Sequence, residues 1–200
     1  MEEEGCVGMK YKKVYLFLII SILLLSACGQ NDIKDALNWP VKNFTYTDQN
    51  NKQFGSKDLK GKIWISDFIY TSCTDICPPM TANLVKLQEM IKQKGLKNVE
   101  FVSFSVDPTV DSPQALQAFA KKFGADTKSW TFLTGYSQKS IENFALKNYK
   151  TLVKKPETGD QVIHGIDFYL VGPDGKIKKE YPGIKDVPFD QIINDIKTLQ

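Results

Sequence analysis

Two cysteines spaced by four, Cys73-Thr-Asp-Ile-Cys77, follow a nearly unbroken apolar run from Lys62 to Tyr70 and precede Pro78-Pro79. The run is rich in β-branched and aromatic residues, which suits a strand buried on both faces. Beyond the prolines, Met80, Leu84, Leu87 and Ile91 fall on one helical face and Gly95 ends it, predicting a helix from Pro79 to about Lys94. The thiols therefore sit where a strand gives way to a helix N-terminus, whose partial positive charge favours thiolate. Their spacing places both on one helical face if the helix already includes Cys73. Two such sulfurs have three uses. A structural disulfide this local closes almost no loop, so its entropic benefit is small. A redox dithiol needs nothing more than the pair. A metal site needs further ligands, and His164 is the only histidine in the chain.

The surrounding pattern shows what must position these groups. Phe44 to Phe54 reads as two short strands around an Asp48-Gln-Asn-Asn51 turn. Val99 to Val106 and Trp130 to Leu133 are further strands. Ser112-Pro113 starts a helix that packs Leu116, Phe119 and Phe123 inward and stops at Gly124. Gln138 to Tyr149 reads as a helix with Ile141, Phe144 and Ala145 buried. Ile166 to Val171 and Lys176 to Tyr181 flank a Gly172-Pro-Asp-Gly175 turn, and Phe189 to Leu199 closes the chain as an amphipathic helix. Alternating strands and helices imply a parallel core of sheet, and the terminal hairpin makes the sheet mixed. The expected fold is α/β: a thioredoxin-like mixed sheet flanked by helices, with an N-terminal β-hairpin extension.

A lone histidine is by default an exposed or hydrogen-bonded side chain. In a thioredoxin-like layout, however, the loop entering the last hairpin lies beside the cysteine turn, and Val162-Ile163-His164-Gly165 is that loop. Two thiolates and an imidazole then converge. Structural zinc wants four protein ligands, and a fourth is not evident. Thiolate selects Cu(I), and mixed sulfur and nitrogen also holds Cu(II), so copper is the expected cargo. Other polar residues have modest claims. Asp75 lies between the thiols and reads first as a helix-capping carboxylate. Asp67, six residues before Cys73, is either a hydrogen-bonded strand carboxylate or a proton acceptor beneath the pair. Asp107 and Asp111 read as loop and cap residues. Met80 belongs to the helix core.

The run Asp67-Phe-Ile-Tyr-Thr-Ser-Cys73-Thr-Asp-Ile-Cys77-Pro-Pro-Met80 resembles the Sco/SenC family. So do Ser105-Val-Asp107-Pro-Thr-Val-Asp111-Ser-Pro and His164 ahead of Phe168-Tyr-Leu-Val-Gly-Pro-Asp-Gly. The similarity runs from about Trp39 to the C-terminus. It implies a thioredoxin fold, copper held by Cys73, Cys77 and His164, and a role in assembling the dinuclear copper centre in subunit II of cytochrome c oxidase. The chain departs from the family pattern at Thr74, where Pro is common, at Gly165, where Ser is common, and at Asp67, where an apolar or aromatic residue is usual.

The N-terminus speaks to location. Lys10, Lys12 and Lys13 precede an apolar run from Val14 to Leu25, and Leu25-Ser-Ala-Cys28 closes it. A dozen apolar residues is short of the roughly twenty a membrane span requires, and the layout is that of a secretory signal. The closing tetrapeptide resembles a bacterial lipobox, implying a lipid on Cys28 and a domain tethered to the outer face of the cell membrane. Residues 1–27 are the expected signal peptide, 28–38 a lipid-anchored tether and 39–200 the thioredoxin-like domain. Met1 to Gly8 carries three glutamates ahead of the lysines, and Met9 makes a conventional start, so these eight residues are expected to be an untranslated leader.

Charge excludes some classes. The net charge is +3 and all 26 basic residues are Lys, with no cluster interleaved with aromatics, so no nucleic-acid surface is expected. The absence of Arg argues against a peroxiredoxin-type peroxidase. Two functions remain: a copper chaperone, and a thiol-disulfide oxidoreductase that reduces the target's copper-binding cysteines through Cys73 and Cys77 alone.

Overall fold

The computed structural model describes residues 33–159 and 161–200. Eight strands form one mixed sheet: β1 (Trp39–Pro40), β2 (Thr45–Asp48), β3 (Gln53–Gly55), β4 (Ile63–Ile69), β5 (Val99–Ser105), β6 (Trp130–Thr134), β7 (Asp167–Val171) and β8 (Lys176–Pro182). Their order across the sheet is β1-β8-β7-β4-β5-β6-β2-β3. Strands β4, β5 and β6 are parallel, while β7 joins β4 antiparallel on its other side. Four helices accompany them: α1 (Cys77–Gln93), α2 (Pro113–Phe123), α3 (Gln138–Phe144) and α4 (Phe189–Thr198). This is the thioredoxin-like α/β arrangement the sequence pattern predicts, with β2 and β3 as the expected hairpin.

Strand β4 is the central element. All seven of its residues are buried, as its unbroken apolar run requires of a strand covered on both faces. Its side chains alternate between those faces. Ser66 meets the hydroxyl of Tyr149 at 3.2 Å, and Phe68 lies edge-on to the Tyr149 ring. Asp67 points the other way and accepts from Ser103 Oγ of β5 at 2.6 Å. The chain leaves β4 at its carboxyl end, between a parallel neighbour and an antiparallel one. That end of such a strand is where open α/β sheets characteristically place their sites.

Three features depart from the pattern read in the sequence. The helix after the cysteines begins at Cys77, two residues earlier than the predicted Pro79, and Cys73 remains outside it in the preceding turn. The two sulfurs therefore do not share a helical face. The predicted helix from Gln138 to Tyr149 is α-helical only to Phe144 and then widens into a π turn, Ala145–Tyr149. Asn148 stabilises that turn: its side-chain amide donates to the Phe144 carbonyl at 2.8 Å and its oxygen accepts from Lys42 N–H at 2.9 Å. Single π turns of this kind re-aim one side chain, and here Tyr149 is aimed at β4. Finally, Trp39–Pro40, at the start of the expected domain, forms a short edge strand against β8 that the sequence pattern did not mark.

Among the described residues no helix is long and apolar enough to cross a membrane. The expected signal segment, the leader 1–8 and Cys28 lie outside the described residues.

Candidate metal centre

Cys73, Cys77 and His164 meet at the carboxyl end of β4. The turn that carries Cys73 is held from below. Asp111, fully buried, accepts from Thr71 N–H at 3.1 Å, from Thr71 Oγ1 at 2.6 Å and from Ser105 Oγ at 2.6 Å. A carboxylate that receives three donors is satisfied without a counter-ion, and here it fixes the backbone just ahead of the first cysteine. Asp111 is thus an anchor of the cysteine turn. The capping role belongs to its neighbour Ser112, whose hydroxyl accepts from Ala115 N–H at 3.2 Å.

The start of α1 has an unusual cap. Asp75 is exposed and does not cap the helix, against the expectation for a carboxylate at that position. The Cys73 sulfur takes that place and accepts from the Cys77 N–H at 3.3 Å. Pro78 and Pro79 follow, lacking the N–H groups that a first helical turn would leave unpaired. Burial raises the Cys73 thiol pKa, but hydrogen bonding with the His164 imidazole, the Cys77 thiol and the N–H groups of Cys77 and Asp75 outweighs it and brings it down to about 6. Cys77, fully buried, moves the opposite way, raised first by burial and then by its bond to Cys73. The pair is asymmetric: one sulfur is a thiolate near neutral pH, and its neighbour keeps its proton.

His164 arrives on a separate arm. After the π turn the chain runs outward and returns as a narrow ribbon whose only regular pairing among the described residues is Lys154 with Ile163, joined by N–H···O bonds of 2.9 and 3.0 Å. Alternation across this ribbon turns Val153 and His164 inward while Leu152, Lys154 and Ile163 face solvent. His164 Nδ1 lies 2.8 Å from the Gly165 carbonyl. A carbonyl only accepts, so Nδ1 carries a proton and Nε2 is the ring nitrogen turned toward the thiols. That Nε2 is 3.5 Å from Cys77 Sγ. Gly165 departs from the serine of the family pattern for a local reason: a Cβ there would collide with the Thr151 hydroxyl.

Around this nucleus the structure places residues that the sequence did not mark. Tyr70, 1% exposed, sets its ring edge-on to His164 at 5.7 Å between centroids and donates its hydroxyl to Gln161 Oε1 at 2.5 Å. Lys155 pairs with Asp107 at 2.6 Å and donates to Thr109 Oγ1 at 3.0 Å, joining the histidine arm to the loop after β5. Met80 is fully buried, as a core residue should be. Asp67 is buried beneath the site. One of its oxygens accepts from Ser103, whose own oxygen receives the Trp130 indole N–H at 2.9 Å, and the other has no partner. Burial lifts the Asp67 carboxyl to about 7, and the Ser103 bond and the nearby imidazole limit the rise.

The donors suit a thiophilic cation. Two sulfurs and an imidazole nitrogen match copper, and among the described residues no fourth protein ligand stands ready for structural zinc. The three are not yet closed into a cluster: among the described residues no group of three His, Cys, Asp or Glu side chains is placed to hold a metal ion. Cys73 is engaged with the helix terminus, so binding requires its side chain or the histidine ribbon to shift.

With this geometry in hand, the chain can be compared with known proteins. The family model described as SCO1/SenC matches residues 37–200. The SCO1 protein homolog of Bacillus subtilis is 51% identical over 176 residues, covering 88% of this chain and 91% of the relative. Among solved structures, a SCO1/SenC family lipoprotein from Bacillus anthracis aligns with a TM-score of 0.81 at 51% identity, covering 84% of this chain and 98% of that one. BsSco is described as a member of the Sco family of cytochrome c oxidase assembly proteins in which a disulfide switch was identified. It aligns with a TM-score of 0.77 at 51% identity over 84% and 96% of the two chains. Arabidopsis thaliana ScoI, solved with copper bound, gives 0.66 at 30% identity over 78% and 96%. The chain belongs to the SCO1/SenC family.

Proposed function

We propose that this protein is a copper chaperone. It takes up copper through Cys73, Cys77 and His164 and passes it, by thiolate exchange, to the dinuclear copper centre of cytochrome c oxidase subunit II. The observation that carries the reading is the orientation of His164: Nδ1 is committed to the Gly165 carbonyl, and Nε2 faces the Cys77 sulfur. A second-shell bond of that kind is how histidine ligands are oriented toward metals. Relatives described as copper-bound and as oxidase assembly proteins support it. Two thiolates and a neutral imidazole would leave bound Cu(II) locally uncharged, which suits a buried site.

In this reading the protein works at the outer face of the cell membrane, held by a lipid on Cys28, with residues 28–38 as tether. The lipobox-like Leu25-Ser-Ala-Cys28 and the lipoprotein relative support that placement. Mass spectrometry of the mature N-terminus tests it; a mature chain that begins elsewhere than at a lipidated Cys28 defeats it.

The asymmetry of the thiols favours a second reading. A low-pKa Cys73 beside a protonated Cys77 is the arrangement of a nucleophile and its resolving partner, so the pair could instead reduce the target's cysteines. His164→Ala separates the two. Oxidase assembly fails in that strain if copper delivery is the role. It persists, while either Cys→Ser fails, if thiol reduction is. Normal assembly with His164→Ala would overturn the chaperone reading.

A further inference from the structure

One residue touches both halves of the site. Tyr70 follows the last residue of β4 and stands three residues before Cys73, whose N–H its carbonyl accepts at 3.3 Å. Its side chain leaves in the other direction. The ring stands perpendicular to the His164 imidazole, at 89° and 5.7 Å, and the hydroxyl reaches Gln161 Oε1 at 2.5 Å, across 91 residues of sequence. The main chain of Tyr70 thus belongs to the cysteine turn, and its hydroxyl bridges the Cys73 sulfur and the histidine arm, at Gln161 and the Val162 backbone.

The energetics of that contact are one-sided. Tyr70 is almost entirely buried, and a buried phenol hydroxyl without a partner costs about 1–3 kcal/mol. Gln161 is exposed and would otherwise be free to point into water. The buried donor therefore draws an exposed side chain inward, and with it the segment that returns toward His164. Beyond this contact the arm is held by the Lys154–Ile163 pairing, the Lys155–Asp107 ion pair, the Lys155 N–H bond to Glu142 Oε1 at 3.1 Å and the buried side chains of Val153 and Val162. A phenylalanine would fill the same space and keep the edge-on ring contact, so the substitution isolates what the hydroxyl contributes: the tie to Gln161 and its polar contacts with the Cys73 sulfur and the Val162 backbone.

We infer that Tyr70 is a positioning residue for copper: through its hydroxyl bond to Gln161 it clamps the His164 arm against the cysteine turn and fixes the imidazole at the angle the cation requires. This rests on the copper reading of Cys73, Cys77 and His164. Without the clamp the imidazole would sample several positions. Loss of an outer partner of a metal-ligating histidine typically weakens a site ten- to hundred-fold, and the effect should fall on release of the ion.

The test uses the full chain with Tyr70→Phe, Gln161→Leu, the double variant and His164→Ala. Three readouts are taken: the rate of Cu(II) release to a chelator, the electron paramagnetic resonance spectrum of the Cu(II) form, and, without copper, amide exchange at Ile163 and at Phe104 in β5. Each single variant is expected to speed release on the order of ten-fold and to broaden the Cu(II) spectrum into a mixture. The double variant should match Tyr70→Phe, because the Gln161 change deletes a bond that the Tyr70 change already removes. Exchange should rise at Ile163 and stay constant at Phe104; a rise at both would mean a general loss of stability and would overturn the inference. Parental release and spectra in Tyr70→Phe would overturn it too, as would additive effects in the double variant. His164→Ala keeps the two levels apart. If it retains copper as the parent does, the copper reading itself fails. If it loses copper while Tyr70→Phe behaves as the parent, only the clamp fails.

Discussion

The segment that carries the thiols passes from β4 directly into α1, and ties hold it along its whole length. Asp111 receives three donors from beneath it, and the Cys73 sulfur caps the helix N-terminus. The segment that carries His164 leaves the π turn, runs as a ribbon with one regular pairing, and exposes Leu152 at 58% and Ile163 at 56%. Its anchors are the buried Val153 and Val162 and a few polar contacts: Lys155 to Asp107 and, through its N–H, to Glu142, and Tyr70 to Gln161. The cysteines are thus part of the fold, whereas the histidine is brought to them. A site built this way keeps its thiol chemistry under constant geometry and leaves the imidazole adjustable, which suits the proposed role of holding copper and releasing it.

The comparison is tested most severely at the ligands. Cys73→Ser, Cys77→Ser and His164→Ala should each weaken Cu(II) binding by more than ~100-fold, beyond the range of outer-shell changes. They should differ in what remains. His164→Ala should still close the Cys73–Cys77 disulfide, because the cysteine turn does not depend on the arm. Chelator competition measures the first effect and thiol titration after oxidation the second; a His164→Ala chain unable to form the disulfide would show that the two halves are one unit.

Asp111→Ala comes next. It strands three donors inside the protein, each worth a substantial part of the 1–3 kcal/mol that an unsatisfied buried group costs. The expected loss is about 3 kcal/mol in urea unfolding of the reduced chain. A loss under about 1 kcal/mol would mean that the cysteine turn is no better anchored than the ribbon.

How much of this was legible beforehand depended on the range of the interactions. The apolar run of β4, the one-sided spacing of Met80, Leu84, Leu87 and Ile91, and the Gly172-Pro-Asp-Gly175 turn are local patterns, and each produced the element it predicted. The π turn is held by Asn148 bonding to Lys42, 106 residues away, and no helical periodicity announces that. The start of α1 was misplaced because prolines mark a first turn but do not say whether a residue ahead of them has already entered it. Asp75 looked like a cap by residue type, yet a sulfur took the place. Tyr70 read as the end of a strand, Gln161 and Lys155 as loop, and their pairings across 91 and 48 residues become visible only in three dimensions.

The pH dependence of stability sharpens the contrast between a reduced and an oxidised cysteine turn. Asp67 has its folded pKa raised to about 7, so its contribution is fully present below its ordinary value of 3.8 and is lost as pH rises through 7. Cys73 has its folded pKa lowered to about 6, so its contribution is fully present above its ordinary value of 9.0 and is lost as pH falls through 6. The reduced chain should therefore be least stable between about pH 6 and 7 and gain on either side. The disulfide form has no thiol to titrate and should show only the decline with rising pH. Asp67→Asn should make that decline shallower in both forms, the raised carboxyls of Asp111, Asp167 and Glu180 supplying the rest. Urea midpoints across pH 4 to 9 give the curves, and parallel curves for the two redox forms would refute the assignment of the upper limb to Cys73.

The smallest effect is expected from Lys155→Met, which keeps the aliphatic stem and removes the charge. Lys155 Nζ sits 2.6 Å from Asp107 Oδ1, but the lysine side chain is 28% exposed and its partner only 4%. Water screens the cation while the carboxylate is mostly enclosed, so removal costs more than a fully exposed pair would. It still leaves Asp107 the Thr109 hydroxyl at 2.9 Å. The net loss should be about 1 kcal/mol or less, and the parent should lose a similar amount in 1 M salt, where the screening length shrinks to about 3 Å. Amide exchange at Lys154 and Ile163 should nevertheless quicken, since one of the few anchors of the ribbon is gone while the fold stands. A loss above about 2.5 kcal/mol would exceed anything a screened pair contributes. It would place the histidine arm within the cooperative unit of the fold, and the difference drawn between the two halves of the site would disappear.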